Sequence, residues 1–342
     1  MTDPEAASPP TSPQPRRVFV IGATGTIGQA TARALLRRGH DVTCFVRPRA
    51  GVGGRLDNGA SVRLLAGATV RFGDVRDAGS LARDGIRGER FDALVSCLAS
   101  RTGAPRDAWA IEHRAQVNAI AAARAAGATQ AVLLSAICVQ KPLLEFQKAK
   151  LAAERALVES GLAYSIVRPT AFFKSLSGQL GRLRRGKPYL LFGDGALTAC
   201  KPISDDDLAA YIADCLDRDE RRNRILPIGG PGDAITPRQQ GERLFELLGL
   251  EPRFREVSPR VLDAIIGVLA ALGRVVPALA DKAEFARIGR YYATESMLVL
   301  DPHTGRYDAA ATPSTGSDTL FDYYARLVRG EESAERGDHA VF

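Results

Sequence analysis

Short apolar runs alternate with longer helical patterns through the first half of the chain. Residues 17–21, RVFVI, form the first continuous apolar run, and the helical pattern TARALLRRG follows after a glycine-rich turn. Unbroken apolar runs of this length are typical of strands buried on both faces of a parallel sheet. Further strands are predicted at 41–46, 68–72, 91–98, 131–134 and 164–167, with long helices at 108–126 and 142–160. The alternation predicts an α/β fold with a doubly wound parallel sheet.

The pattern becomes irregular and helix-rich after Pro169, with strand-like pieces at 189–192 and 225–228. We interpret this second half as a smaller substrate-binding region that can return strands to the main sheet. The first 15 residues are rich in Pro, Ser and Ala and are predicted to be disordered. The predicted organisation is a disordered tail at 1–15, a dinucleotide-binding domain at 16–169, a substrate-binding region at 170–330 and a disordered tail at 331–342.

Composition and charge narrow the choice of partners. The chain has 342 residues, of which 45% are hydrophobic and 25% charged, as in an ordinary globular protein. The formal net charge of +7 favours anionic small molecules or an anionic membrane surface. Because the Lys and Arg residues are scattered and not interleaved with aromatics, no nucleic-acid partner is expected. The five cysteines include no C-x-x-C pair and the four histidines show no ligand spacing, so we expect a reducing compartment and no metal.

The segment 261–280, VLDAIIGVLAALGRVVPALA, is the most apolar stretch of the chain. Asp263 and Arg274 interrupt it and Pro277 breaks it, so a membrane span is not predicted. Two interpretations stay open: a core helix of the substrate-binding region, or an apolar surface that associates reversibly with an anionic membrane. Because no secretory signal is recognised, the predicted location is cytoplasmic, with peripheral contact to a pigment-making membrane as a hypothesis.

A glycine-rich turn, GATGTIG, joins the first predicted strand to the first predicted helix. Its first glycine permits the tight turn, the second lets the backbone approach a pyrophosphate, and the third lets the helix pack closely on the sheet. A pyrophosphate would lie at the helix N-terminus, where free N–H groups and the helix dipole attract anions. This arrangement is typical of a Rossmann dinucleotide site. The residues predicted to contact the phosphates are Gly22, Thr24, Gly25, Thr26, Ile27 and Gly28.

The end of the second strand distinguishes the two nicotinamide cofactors. An acidic residue there would bind the free 2′-hydroxyl of NAD, but this chain has VRPR, with Arg47 and Arg49 and no carboxylate. A guanidinium pairs well with a phosphate, so NADPH is predicted, with Arg47 as the main ligand and Arg49 as helper. Asp74 and Val75, after the third strand, are expected beside the adenine.

The loops after the later strands are expected to line the remainder of the cofactor, because ligands of doubly wound sheets bind outside the carboxyl ends of the strands. The loop after the fourth strand would run along the cofactor toward the nicotinamide. The residues predicted to contact the cofactor in these loops are Cys97, Leu98, Ala99, Ser135 and Pro169.

Residues 145–154, EFQKAKLAAE, resemble the active-site helix of short-chain dehydrogenases/reductases, which normally carries Tyr-x-x-x-Lys. Phe146 occupies the Tyr position and Lys150 the Lys position. Because Phe cannot donate a proton, either the fold has lost catalysis or the reaction needs no phenol there. Lys150 is expected to hold the nicotinamide ribose, and Lys148 is the alternative because related atypical reductases shift this lysine along the helix.

Long segments carry a closer resemblance, to the NADPH-dependent divinyl chlorophyllide a 8-vinyl reductase family of atypical short-chain reductases. They are LVSCLASR (94–101), LLSAICVQKPLLEFQKAK (133–150), YSIVRPTAFFKSL (164–176), CKPISDDDLAAYIADC (200–215), LPIGGPG (226–232), IGRYYATESMLVLDP (288–302) and ATPSTGSDTL (311–320). Several lie outside the nucleotide-binding half, so a shared fold alone does not explain them. The resemblance implies reduction of the 8-vinyl group of divinyl (proto)chlorophyllide to ethyl in chlorophyll or bacteriochlorophyll synthesis.

A vinyl reduction would explain Phe146, because hydride addition to a carbon–carbon double bond leaves no oxyanion for a Tyr to protonate. Phe146 would instead offer an aromatic surface to the cofactor or pigment. The proton donor is open, and Tyr292 and Tyr291 are the candidates. A flat pigment with a carboxylate calls for aromatic walls and a cation. The predicted substrate contacts are Phe146, Thr170, Phe172, Phe173, Lys174 and Tyr291.

Two other functions stay open at this point. One is a non-catalytic, redox-sensing NADP-binding protein of the same fold, which would also tolerate Phe146. The other is a reductase acting on a phenylpropanoid-type ring. The specific segments in the second half argue against both, because a sensor has no need of a pocket lined by aromatic residues and a cation.

Overall fold

The computed structural model describes residues 14–51, 54, 56–274 and 276–332, so the predicted tails at 1–15 and 331–342 lie largely outside the described residues. A seven-stranded, wholly parallel sheet forms the centre, in the order β3-β2-β1-β4-β5-β6-β8. The strands are β1 (Arg17–Ile21), β2 (Asp41–Val46), β3 (Thr69–Phe72), β4 (Ala93–Ser96), β5 (Gln130–Leu134), β6 (Ala163–Pro169), β7 (Tyr189–Phe192), β8 (Arg224–Ile228), β9 (Phe254–Val257), β10 (Val299–Leu300) and β11 (Tyr307–Asp308). The predicted doubly wound sheet is confirmed.

Helices cover both faces of this sheet. They are α1 (Thr26–Arg37), α2 (Asn58–Leu64), α3 (Ala78–Ser80), α4 (Pro105–Ala108), α5 (Gln116–Ala125), α6 (Glu145–Val158), α7 (Phe173–Leu176), α8 (Leu180–Arg184), α9 (Asp205–Asp217), α10 (Pro237–Leu248), α11 (Pro259–Gly273), α12 (Pro277–Thr294) and α13 (Leu320–Arg329). The single helix predicted at 108–126 is instead α4, a π-helical segment at Trp109–Ala115 and α5. This change of helical pitch affects the site described below.

Two apolar layers enclose the sheet, as the side chains of β1 illustrate. Val18 and Val20 are fully buried on the face covered by α1 and α9, while Phe19 and Ile21 are fully buried on the face covered by α5 and α6. Successive side chains of a strand point to opposite faces, so an unbroken apolar run is what a sheet covered on both sides requires.

The second half both joins the main sheet and builds its own core. β8 pairs with β6 at the edge of the sheet, so the region predicted to cover the substrate does return a strand. β7 does not join it and pairs with β9 instead. A separate apolar cluster, which includes Tyr189, Leu244 and Tyr324, holds α8, α10 and α13 around that pair. The boundary at 169/170 stays a prediction.

Helices α11 and α12 lie against each other, and several large apolar side chains on them are exposed. No described residue of α11 is buried, so the core-helix interpretation is wrong for residues 261–273. Asp263 and Arg290 join the two helices through an ion pair of 2.8 Å. In the part of the chain that the structure describes, no helix has the length and apolar character needed to cross a membrane.

Candidate cofactor and substrate site

The glycine-rich turn lies where β1 ends, against the end of β4. Gly22 has a φ of +77°, and a Cβ there would stand 2.4 Å from the carbonyl carbon of Cys97. A Cβ on Gly28 would stand 2.1 Å from the carbonyl oxygen of Gly22, so α1 packs directly on the turn. A Cβ on Gly25 would meet only that oxygen, at 3.5 Å, and would otherwise face open space.

The N-terminus of α1 is open to an anion. Gly25 is the N-cap residue and carries no side chain to cap the helix, so the N–H groups of the first turn have no capping acceptor. Thr24 and Thr26 are half-buried beside the exposed Gly25, and Ile27 is buried beneath it. The helix dipole adds positive potential at this point. The turn therefore fits a dinucleotide pyrophosphate.

The end of β2 carries the two arginines predicted to bind the 2′-phosphate. Arg47 and Arg49 are both exposed, and no described carboxylate lies within ion-pair distance of Arg47. Asp74, after β3, accepts a hydrogen bond of 2.6 Å from Arg76. That hydrogen bond, with a smaller contribution from the charge of Arg47, holds the pKa of the Asp74 carboxyl below its usual value. Val75 beside it is buried.

The two candidate lysines of α6 have different surroundings. Lys148 is half-exposed and forms a surface ion pair of 2.7 Å with Glu145. The side chain of Lys150 is only 11% exposed, and its Nζ lies 2.8 Å from Oε2 of Glu112. Lys150 is therefore linked through Glu112 to Ser100 in the loop that follows β4, whereas Lys148 pairs with Glu145 at the surface.

In the loops after β4 and β5, the cysteine and serine side chains predicted to contact the cofactor are buried, so these loops offer mainly backbone to a cofactor. The thiol of Cys97 is buried beside the Thr31 hydroxyl at 3.7 Å, whereas Leu98 is half-buried and Ala99 is exposed. Ser135 is buried, and its hydroxyl donates to Glu154, which in turn binds Arg168. The remaining predicted contact, at the end of β6, is the buried Pro169.

An aromatic and thiol cluster lies between the turn after β5 and α12. The Tyr291 hydroxyl donates to the carbonyl oxygen of Cys138 at 2.9 Å, and the Tyr292 hydroxyl lies 3.9 Å from the Cys138 thiol. Burial raises the pKa of both phenols and of the thiol, so all three groups stay protonated near neutral pH. Phe146 packs against this cluster without bringing a hydroxyl to it.

The four residues predicted as substrate contacts after β6 make their contacts outside this cluster. Thr170 is buried and donates to the carbonyl oxygen of Lys201, and Phe172 packs against the core below the sheet. Phe173 is 3% exposed, and its ring centre lies 5.4 Å from that of Tyr323, so it belongs to the core of the second half and not to a pocket wall. Lys174 forms an ion pair of 3.2 Å with Asp205.

The buried carboxylates Glu112 and Glu154 were not predicted from the sequence. Glu112 lies on the buried stripe formed by Ala108, Ala115 and Ala119, and a carboxylate on such a stripe is the signal that could have revealed it. Glu154 is one helical turn after Lys150 on α6 and could have been found in the same way.

Comparison with known proteins supports NAD(P)H binding and identifies the family of this chain. A family model described as NAD(P)H-binding matches residues 22–219. Divinyl chlorophyllide a 8-vinyl-reductase, chloroplastic, from Oryza sativa subsp. indica is 54% identical over 337 residues, covering 97% of this chain and 83% of that protein. The complex of leucoanthocyanidin reductase with NADPH from Vitis vinifera has a TM-score of 0.65 at 15% identity, covering 92% of this chain and 99% of that one.

The NADPH complex of a quinone oxidoreductase from Escherichia coli has a TM-score of 0.63 at 19% identity, covering 91% of this chain and 99% of that one. At such identities the two solved structures show the fold alone.

Proposed function

The chain belongs to the divinyl chlorophyllide a 8-vinyl-reductase family, and we propose that it reduces the 8-vinyl group of divinyl (proto)chlorophyllide a to ethyl with NADPH. The observation that carries the proposal is the 54% identity to the rice reductase over 97% of the chain. That identity includes the second half, which a shared nucleotide fold does not account for. A non-catalytic NADP-binding function would leave this likeness unexplained.

NADPH, when bound, supplies the hydride. The open N-terminus of α1 would bind its pyrophosphate, Arg47 with Arg49 would bind its 2′-phosphate, and Lys150 would hold the nicotinamide ribose. We assign the ribose to Lys150 because it is the lysine near the loop after β4, whereas Lys148 is engaged by Glu145 at the surface.

The reaction adds two electrons and two hydrogens across one vinyl group. A hydride at the outer vinyl carbon moves an electron pair toward the macrocycle, which delocalises it, and a proton then bonds to the inner carbon. No oxygen of the substrate gains charge in these steps, so the reaction does not need the hydroxyl that a Tyr in place of Phe146 would bring.

We assign the proton to Tyr292. Its hydroxyl is held protonated by burial, it lies beside the Cys138 thiol, and it belongs to the same cluster as Phe146. Tyr291 is less suited, because its hydroxyl donates to the carbonyl oxygen of Cys138, a stronger acceptor than the Cys138 sulfur to which the Tyr292 hydroxyl donates. Lys174 could bind the pigment carboxylate only by leaving Asp205.

The direct test is turnover of purified protein with NADPH and divinyl chlorophyllide a, followed by the shift of the Soret band. The expected result is conversion to the 8-ethyl pigment with consumption of one NADPH for each pigment. If NADPH binds but the pigment spectrum does not change, the protein is a non-catalytic dinucleotide binder and the proposal fails.

We also propose that the protein works at a membrane surface, on the evidence of α11. Val261, Ile265, Val268 and Leu272 are 43–60% exposed and recur at intervals of one helical turn, so they form one apolar face. Exposed apolar residues in such a continuous patch mark an interaction surface, and the arginines flanking this helix suit anionic lipid.

Flotation with vesicles tests this location. The protein should rise with anionic vesicles at low salt and remain at the bottom with neutral phosphatidylcholine vesicles. Val268→Glu should abolish flotation, whereas Val158→Glu, which changes an exposed valine on α6, should not. If the parent protein stays at the bottom with anionic vesicles, with and without pigment, the α11 face has another purpose.

A further inference from the structure

One buried carboxylate connects two parts of the candidate cofactor site. Glu112 is 3% exposed and lies in the π-helical segment Trp109–Ala115. Its Oε2 accepts a hydrogen bond of 2.8 Å from Nζ of Lys150 on α6. Its Oε1 accepts two from Ser100, of 2.8 Å from the backbone N–H and 3.1 Å from the hydroxyl. Ser100 lies in the loop 97–104 that follows β4.

Stability alone does not explain the ion pair between Glu112 and Lys150. Taking an ammonium and a carboxylate out of water costs free energy that their attraction only partly recovers, so an apolar pair would pack here at no disadvantage. π-Helical turns within α-helices are also frequent at functional sites, because the wider turn redirects a side chain. The pair therefore points to a role beyond packing.

Lys150 keeps hydrogen-bonding capacity in this arrangement. A lysine ammonium has three donors, and the described residues provide one acceptor for it, Glu112. Two donors are left for a ligand. Burial, and to a smaller extent the charge of Glu112, raises the pKa of the Tyr292 phenol.

We propose that Glu112 is a positioning residue that fixes Lys150 and the loop after β4 in one arrangement for the cofactor. The inference rests on the proposed function only in taking Lys150 as the ribose ligand. Glu112 acts through its neighbours: one oxygen orients the ammonium, and the other fixes Ser100 and so the exposed backbone at Ala99.

Glu112→Gln is the test, because glutamine keeps the size and one oxygen for Ser100 but loses the charge that orients Lys150. Direct titration with NADPH, followed by nucleotide fluorescence without any pigment, should show about tenfold to hundredfold weaker binding, as expected for loss of a hydrogen bond to a charged group. The double variant Glu112→Gln/Lys150→Met should bind NADPH within about twofold of Lys150→Met alone, because Glu112 acts through that lysine.

Glu89→Gln is the matched control. Glu89 also pairs with a buried cation, Arg71, at 2.6 Å, but outside the proposed site, so its variant should bind NADPH as the parent does. The inference is wrong if a folded Glu112→Gln protein binds NADPH with unchanged affinity. It is also wrong if the double variant loses affinity by the product of the two single losses. If the unsubstituted protein binds NADPH but does not reduce the pigment, only the proposed function fails. The NADPH affinity of the Glu112→Gln variant still decides the role of Glu112.

Discussion

Two alanine substitutions in the glycine-rich turn separate cofactor binding from packing. At Gly28 the new Cβ would stand 2.1 Å from the Gly22 oxygen and 2.8 Å from the Ala23 Cα, so backbone must move by about 1 Å to reach ordinary contact. Such overpacking costs about 1–3 kcal/mol, which lowers Tm by about 1–4 °C in a chain of this size. At Gly25 the nearest atom is 3.5 Å away and φ is −74°, so alanine fits without strain.

The assay pairs thermal unfolding with NADPH titration of each variant. Gly25→Ala should keep the parental Tm within about 1 °C yet bind NADPH at least about tenfold more weakly, because its methyl group enters the space assigned to the pyrophosphate. Gly28→Ala should lose both stability and affinity. Gly25→Ala protein with parental NADPH affinity would refute the placement of the pyrophosphate, and a parental Tm for Gly28→Ala would refute the packing argument.

Three further predictions concern the cofactor arginine and the active-site helix. Arg47→Glu should weaken NADPH binding at least about tenfold and improve the relative use of NADH, which Michaelis constants for both cofactors would check. Phe146→Tyr should keep kcat within about threefold, because no oxyanion needs the phenol; a large gain or loss would mean that a hydroxyl at this position matters. Lys150→Ala should lower kcat/KM about tenfold to hundredfold, and Lys148→Ala should change it less than about twofold, since its partner is a surface carboxylate. The reverse order would exchange the two lysines.

The sheet could be predicted from sequence because its strands are unbroken apolar runs. β1 and β2 begin and end where the pattern places them, since a polar residue or a glycine lies immediately outside each run. The glycine turn was equally predictable, because close backbone contacts at Gly22 and Gly28 exclude every other residue type. In such cases a local requirement determines the structure.

The partners of the site could not be predicted, because they depend on tertiary contacts between distant segments. Glu112 contacts Lys150 only when the π-helical segment and α6 pack together, and no spacing along the chain predicts that contact. The same reason explains Phe173: its apolar side chain suited a pocket wall as well as a core, and packing against Tyr323 decided between them. Hydrophobicity alone does not tell which surface will cover a residue.

Hydride transfer from NADPH to the 8-vinyl group can be followed by isotope tracing. Purified protein is given divinyl chlorophyllide a with NADPH deuterated at both hydrogens of nicotinamide C4, and the pigment is analysed by mass spectrometry and NMR. We expect one deuterium at the outer carbon of the new ethyl group, and one at the inner carbon when unlabelled NADPH is used in heavy water. An ethyl product without deuterium from NADPH, or no ethyl product from protein that binds NADPH, would contradict this expectation.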